Sequence, residues 1–192
     1  MRGHVSVSES DGRRRRGQDN RARIVKAMLE LVEAGDVSPV ADEVAAKADV
    51  GLRTVFRHFK DMDSLYGEMS AVVTTEVRAL VGRPFITTNW QGQLSELVDR
   101  RATLFERIAP FRRASERLRY RSRFIAAEQV RLVSTLRDIL RQVIPAEMDA
   151  VDFEALDMLL SYETWSRLRR DQNLSIDDAK AVIRRGILGI TG

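Results

Sequence analysis

The chain has 192 residues, of which 44% are hydrophobic and 31% charged, with 11 glycines and 4 prolines; this is ordinary globular composition, long enough for one or two domains with a real core. It holds no cysteine, which excludes a disulfide framework and thiolate chemistry and is compatible with a reducing cytoplasm. The net charge of +4, from 32 Lys+Arg against 28 Asp+Glu, permits nucleic-acid binding without requiring it.

Residues 1–17 mix Gly, Ser, Glu, Asp and Arg with almost no apolar residue. Such a segment buries too little surface to offset the entropy of ordering, which predicts a disordered basic arm. Its run Arg13–Arg16 has no apolar stretch behind it, so a secretory signal is not expected. Nor does any apolar run approach the roughly 20 residues that span a bilayer. A cytoplasmic protein without a membrane partner is the expectation.

A first helix is predicted over about 20–34 from Ile24, Ala27, Met28, Leu31 and Val32, with Gly35 as its stop. Ser38-Pro39 reads as the start of a second, a side-chain cap followed by proline at the first helical position, running to about Ala48. Asp49 falls where the turn needs a left-handed residue, a conformation Asp tolerates better than most. The third helix begins after Gly51 and ends near Lys60, and Asp61 caps a fourth beginning near Asp63. Leu65, Met69, Val72, Val73, Val77 and Leu80 give the fourth an apolar stripe, ended by Gly82-Arg83-Pro84.

The pattern stays helical beyond Pro84. One amphipathic helix carries Leu94 to Ile108 and is closed by Pro110; a basic helix follows over about 111–121. Leu132 to Val143 mark another, closed by Pro145, and Phe153 to Leu168 a long one. Ser175-Ile176-Asp177-Asp178 has the form of a capping box opening the last helix. No alternating strand pattern occurs. The chain is therefore expected to be all-α, with a small N-terminal helical domain over 18–66 and a larger bundle over 67–192, helix four being continuous between them.

Residues 40–65 carry the most chemistry. Val55 and Phe59 are four apart and share the inward face of helix three, against the small residues Val44, Ala45 and Ala48 of helix two. Arg53, Thr54 and Arg57 fall on or beside the opposite face. This is the build of a helix-turn-helix that puts one helix into the major groove of DNA. An arginine there can fork onto guanine O6 and N7, and a threonine can touch a thymine methyl or a phosphate. His58 and Lys60, at the helix end, are placed for phosphates, contacts that set register rather than sequence preference. Beside such a helix, Arg13–Arg16 could graze a minor groove or phosphates.

Ile24-x-x-Ala27 with Gly35, Val44-Ala45, Ala48-x-Val50, Thr54-Val55-Phe56-x-His58-Phe59 and Leu65 together resemble the DNA-binding domain of the tetracycline-repressor (TetR) family. The resemblance covers about residues 20–66. It implies a DNA-binding surface of Arg53, Thr54, Phe56, Arg57, His58 and Lys60. Four positions depart from the family pattern. Asp49 holds the turn position often given to Gly, and Gly51 the cap position often given to Ser. Phe56 stands for a frequent Tyr, which removes a phenolic phosphate contact. Met62 stands for a Lys common early in helix four; Lys60 or the helix N-terminus can substitute.

The resemblance further implies a homodimer on a palindromic, double-stranded operator, released by a small-molecule effector held in the C-terminal domain. Large apolar residues in the last two helices, Leu159, Leu160, Trp165, Ile183 and Ile187, with Gly186 for close approach, would suit a four-helix interface with a second copy. Filling the monomer core is the alternative. Phe85, Trp90, Leu104, Phe105, Phe111, Phe124, Tyr162 and Trp165 are candidates for pocket walls, and Phe105, Phe111, Phe124, Tyr162 and Trp165 are preferred among them. The arginines from Arg112 to Arg123 could attract an anionic effector or simply form a solvated face.

Catalysis finds little support. His4 lies in the arm and His58 in the third helix, no His/carboxylate spacing suggests a metal site, and neither a Gly-rich phosphate loop nor a serine elbow occurs. No cofactor is expected. The rival readings are a helical protein-interaction module that never touches DNA and a small helical enzyme with a buried carboxylate base.

Overall fold

The computed structural model describes the backbone of residues 6–118 and 123–192, and the side chains of 17–114, 127 and 129–192. Its elements are all helical: α1 (Ser6–Glu33), α2 (Ala41–Lys47), α3 (Leu52–His58), α4 (Met62–Val81), α5 (Trp90–Leu118), α6 (Arg123–Val143), α7 (Ala150–Leu159), α8 (Tyr162–Ser166) with a π-helical continuation (Arg167–Asp171), and α9 (Ile176–Thr191). No strand occurs among the described residues, so the all-α expectation holds. Among them, too, no helix is long and apolar enough to cross a membrane.

Contacts divide the chain into two compact units, Met1–Val73 with Pro110–Ala126, and Thr74–Ala109 with Ala127–Gly192. The division falls inside α4, inside α5 and inside α6.

In the first unit, α1 begins at Ser6 rather than near residue 20. Residues 6–17 are thus helical backbone where composition predicted a disordered arm. Arginine and glutamate are good helix formers and the segment has no proline, so a helix nucleated in the folded core can propagate outward. The side chains of Arg13–Arg16 lie outside the described residues, as do those of Arg117, Arg119, Arg121 and Arg123. The α1 C-terminus closes as expected at Gly35 (φ 101°). Asp36 N–H donates to the Leu31 carbonyl at 3.1 Å and Gly35 N–H to that of Val32 at 3.0 Å, the paired bonds of a left-handed helix stop.

The start of α2 lies about two residues beyond the predicted one. Ser38 and Pro39 precede it, Val40 occupies the cap, and Glu43 accepts the Val40 N–H at 3.0 Å. The Ser38 amide is instead drawn to Asp36 Oδ1, at 2.9 Å. The predicted Asp61 cap is present: its Oδ1 accepts Ser64 N–H at 2.8 Å, opening α4. Along α4 the buried stripe is Leu65, Met69, Val73 and Val77, while Val72 is exposed.

In the second unit, α5 buries Leu94, Leu97, Val98, Leu104, Phe105 and Ile108. It does not stop at Pro110; the helix passes through to Leu118, although proline adds no N–H to its ladder. The predicted long helix over 153–168 is broken instead. Ser161 (ψ 159°) caps a new helix by accepting Thr164 N–H at 3.1 Å, while its own hydroxyl and that of Thr164 donate to the Met158 carbonyl at 2.7 and 2.6 Å. Local side-chain bonds of this kind compete with helix continuation. The break is fixed from α5: Arg101, 3% exposed, donates to the Leu160 carbonyl at 2.7 Å and to that of Leu136 in α6 at 2.8 Å. Burial lowers its pKa to about 10, against the favourable field of Asp157.

Helix α9 opens as predicted, with Ser175 Oγ accepting Asp178 N–H at 3.1 Å. Four of the five residues expected in a dimer interface are inside the single chain: Leu160, Trp165, Ile183 and Ile187 are buried. The close approach at Gly186 is internal as well, since a Cβ there would sit 3.0 Å from Leu159 Cδ1. Apolar stripes of this kind look alike whether they face a core or a partner.

Candidate nucleic-acid interface

The α2–turn–α3 segment is held from the inside by apolar packing and from the outside by two arginines of α1. Val44, Ala45, Ala48, Val55, Phe59 and Leu65 are all buried, as the spacing predicts. Small residues on α2 let the two short helices cross closely. The turn between them repeats the stop seen after α1. Val50 N–H donates to the Ala45 carbonyl at 3.0 Å and Asp49 N–H to that of Ala46 at 3.1 Å, with Asp49 at φ 52°. Asp49 thus adopts the left-handed conformation expected of it, at a strain cost a glycine would avoid. Arg23 compensates by donating to the carbonyl of Ala48 at 2.6 Å and to the carbonyl and carboxylate of Asp49, each at 3.2 Å.

Arg21 secures the far end of α3. It donates to the His58 carbonyl at 2.8 Å, lies 4.5 Å over the Phe59 ring and pairs with Glu68 of α4. One guanidinium therefore joins α1, the C-terminus of α3 and the first turns of α4. Nothing in the local sequence pattern marks Arg21 or Arg23. Both lie on α1 beside the buried positions Ile24 and Val25, where a long basic side chain can reach a neighbouring helix end.

With Val55 and Phe59 turned in, α3 presents the rest of its surface to solvent. Arg53, Phe56, Arg57 and Lys60 are exposed and Thr54 is half-exposed. Arg53, Arg57 and Lys60 take part in no ion pair among the described residues. Most arginines of the second unit's α5 and α6 differ: Arg100, Arg107, Arg137 and Arg141 are each paired with a carboxylate. The N-terminus of α3 has no side-chain cap at Gly51, and a Cβ there would meet open space. Met62 is half-buried at the start of α4 and adds no charge.

His58 is less exposed than its neighbours. Its Nε2 is buried without a hydrogen-bond partner. Burial first, then the nearby Arg57 and Arg21 cations, hold its pKa below the ordinary value of 6.5. At neutral pH the imidazole is uncharged, so it can offer a phosphate a hydrogen bond but little Coulombic attraction.

Of the aromatic residues expected to line a ligand pocket, three lie near one another in the second unit. Phe105 and Tyr162 pack edge to face with centroids 5.7 Å apart, and Trp165 Nε1 donates to Glu106 Oε1 at 2.9 Å. These three are buried in the second unit; Phe111 is buried but belongs to the first, and Phe124 lies outside the described residues. Phe85 stacks under Arg100 at 4.1 Å. A cavity of about 230 Å³ opens between α5 and α9, walled by Trp90, Leu94, Val98, Ile187 and Leu188 with Gln91, Ser95, Arg184 and Thr191. Trp90 alone of the candidate wall residues lines it. No group of residues with metal-ligand geometry occurs among the described residues.

No family model and no curated protein matches this chain. Among solved structures it is similar to the crystal structure of a TetR transcriptional regulator from Rhodococcus sp. RHA1, at 20% identity and a TM-score of 0.53, over 91% of this chain and 95% of that one. The fold is shared over nearly the whole length of both.

Proposed function

We propose that this chain, built on the fold of TetR transcriptional regulators, is a cytoplasmic, sequence-specific DNA-binding transcription regulator, and that it acts as a homodimeric repressor on a palindromic operator. The observation that carries this reading is the cationic face of α3. Arg53 and Arg57 stand exposed and unpaired on a helix whose rotation is locked by buried Val55 and Phe59, and Lys60, exposed and unpaired too, lies two residues beyond its end. Cations left without partners on a rigid helix suit phosphates and guanine edges. Arg53 and Arg57 take the base contacts, with Thr54 and Phe56 beside them; Lys60 and His58 take phosphates.

The dimer uses α7 and α9, through the apolar residues those helices leave exposed, Val151, Met158, Val182 and Leu188. A two-fold protein matches two half-sites about one helical turn apart. A small-molecule effector in the C-terminal bundle displaces α4, which is one uninterrupted helix over Met62–Val81, and so changes the separation of the two α3 helices. Phe105, Tyr162 and Trp165 contribute to that effector site or to its walls.

Gel shift with the promoter region beside the protein's own gene tests the DNA reading. Arg53→Ala is expected to cost roughly 1–3 kcal/mol and to relax preference at one base pair, whereas His58→Ala weakens all sequences about equally. If Arg53→Ala leaves affinity and preference untouched, the assigned reading face is wrong. An effector that binds the bundle without changing operator affinity would remove the release mechanism.

A further inference from the structure

The reading face of α3 is not uniformly cationic. Leu52 and Phe56, four residues apart, form one row along the helix; Arg53 and Arg57, also four apart, form the next. The apolar row is 38% exposed at Leu52 and 48% exposed at Phe56. Phe56 has no ring or cation contact among the described residues. It cannot turn inward, because the inward face of this seven-residue helix is already taken by Val55 and closed at its end by Phe59. Nor can it serve a phosphate, since phenylalanine has no donor. A large apolar surface is thus held in water beside a row of free cations, on a helix shaped to enter a groove.

The floor of the major groove offers one apolar protrusion, the C5 methyl of thymine. We propose that Leu52 and Phe56 read thymine, seating one or two C5 methyl groups while Arg53 and Arg57 take neighbouring guanines. Gly51 assists by placing no side chain ahead of Leu52, where a Cβ would meet nothing. The half-site therefore combines thymine with guanine in adjacent steps, and part of its discrimination is hydrophobic. Unlike a phosphate contact, this part releases no counterions and so does not weaken with salt. The proposal rests on the DNA-binding reading above.

The experiment uses the full chain. DNA bound from a random pool is sequenced, and each thymine of the best half-site is replaced in turn by deoxyuridine, which pairs identically but lacks the methyl. Affinities are measured by fluorescence anisotropy at one fixed salt concentration. Loss of a seated methyl is expected to weaken binding roughly fourfold, the equivalent of one buried carbon. Phe56→Ala should weaken binding to the thymine site, abolish the thymine–deoxyuridine difference at one position and leave the salt dependence unchanged; Leu52→Ala should do the same, more weakly, at a neighbouring position. Both side chains are solvent-exposed, so both variants are expected to fold, which circular dichroism verifies. Equal affinity of the wild-type chain for thymine and deoxyuridine at every position overturns the proposal while leaving DNA binding intact. A discrimination that survives both substitutions also overturns it. Failure to enrich any DNA removes the DNA-binding reading itself and the proposal with it.

Discussion

Two arginines do the same chemistry in different surroundings. Arg23 donates to the Ala48 carbonyl that ends α2, and Arg101 donates to the Leu160 carbonyl that ends α7. Each brings a cation to the negative end of a helix where the chain must turn. The Arg23 side chain is 48% exposed, whereas Arg101 is 3% exposed. Water competes for everything Arg23 does and can replace much of it. Nothing replaces Arg101, whose removal strips donors from carbonyls that solvent does not reach. The turn of the helix-turn-helix is therefore a surface device, tunable at small cost, while the joint between α7 and α8 is fixed by the interior.

Substitution separates the two directly. Arg101→Ala is expected to be the most damaging change, destabilising the second unit by about 3 kcal/mol through lost charged hydrogen bonds and the void left behind. Both tryptophans, Trp90 and Trp165, lie in that unit, so urea unfolding followed by tryptophan fluorescence reads it selectively. A loss below about 1 kcal/mol would place Arg101 in the same class as a surface contact.

Arg23→Ala should cost about 1 kcal/mol, the usual net worth of an accessible hydrogen bond, and tryptophan fluorescence should not register it. Melting of the first unit followed by amide exchange in α2 and α3 checks this. An effect as large as that of Arg101→Ala would show that the turn depends on its arginine rather than on the packing of Val44, Val55 and Phe59.

The smallest effect belongs to His58. Its folded-state pKa is depressed, so its contribution to stability is complete above the unfolded value of 6.5 and is lost as pH falls below it. The chain has two histidines, so its imidazole C–H spectrum is simple, and His58→Gln assigns the signal. The expected midpoint lies below 6.5, and a midpoint above that value would mean that His58 is solvated or faces a carboxylate.

Much of the first unit was legible in residue order. The burial of Ile24, Ala27, Met28, Val44, Val55, Phe59 and Leu65 follows from three- and four-residue spacing, and the stops at Gly35 and Asp49 from which residues tolerate a left-handed backbone. The exposed positions Arg53 and Arg57 follow by subtraction. Less legible were features that depend on neighbours distant in sequence. The spacing of Leu97, Val98, Leu104 and Phe105 does hold a signal for Arg101, a cation set in the apolar stripe of α5, but not the identity of the carbonyls that would receive it. The Ser161 cap was visible in the letters Ser-x-x-Thr, yet the apolar period running on through Trp165 and Leu168 concealed it.

The sequence alone, then, determined the helical class, the helix-turn-helix and the residues that α3 turns outward, because each depends on contacts within a few turns of chain. Only the tertiary structure decided that Leu160, Trp165, Ile183 and Ile187 fill the chain's own core, that α5 passes through Pro110, and that Arg101 is buried on two carbonyls. An apolar stripe specifies that a face is to be covered and is silent about what covers it; that choice is made by packing between helices far apart in sequence.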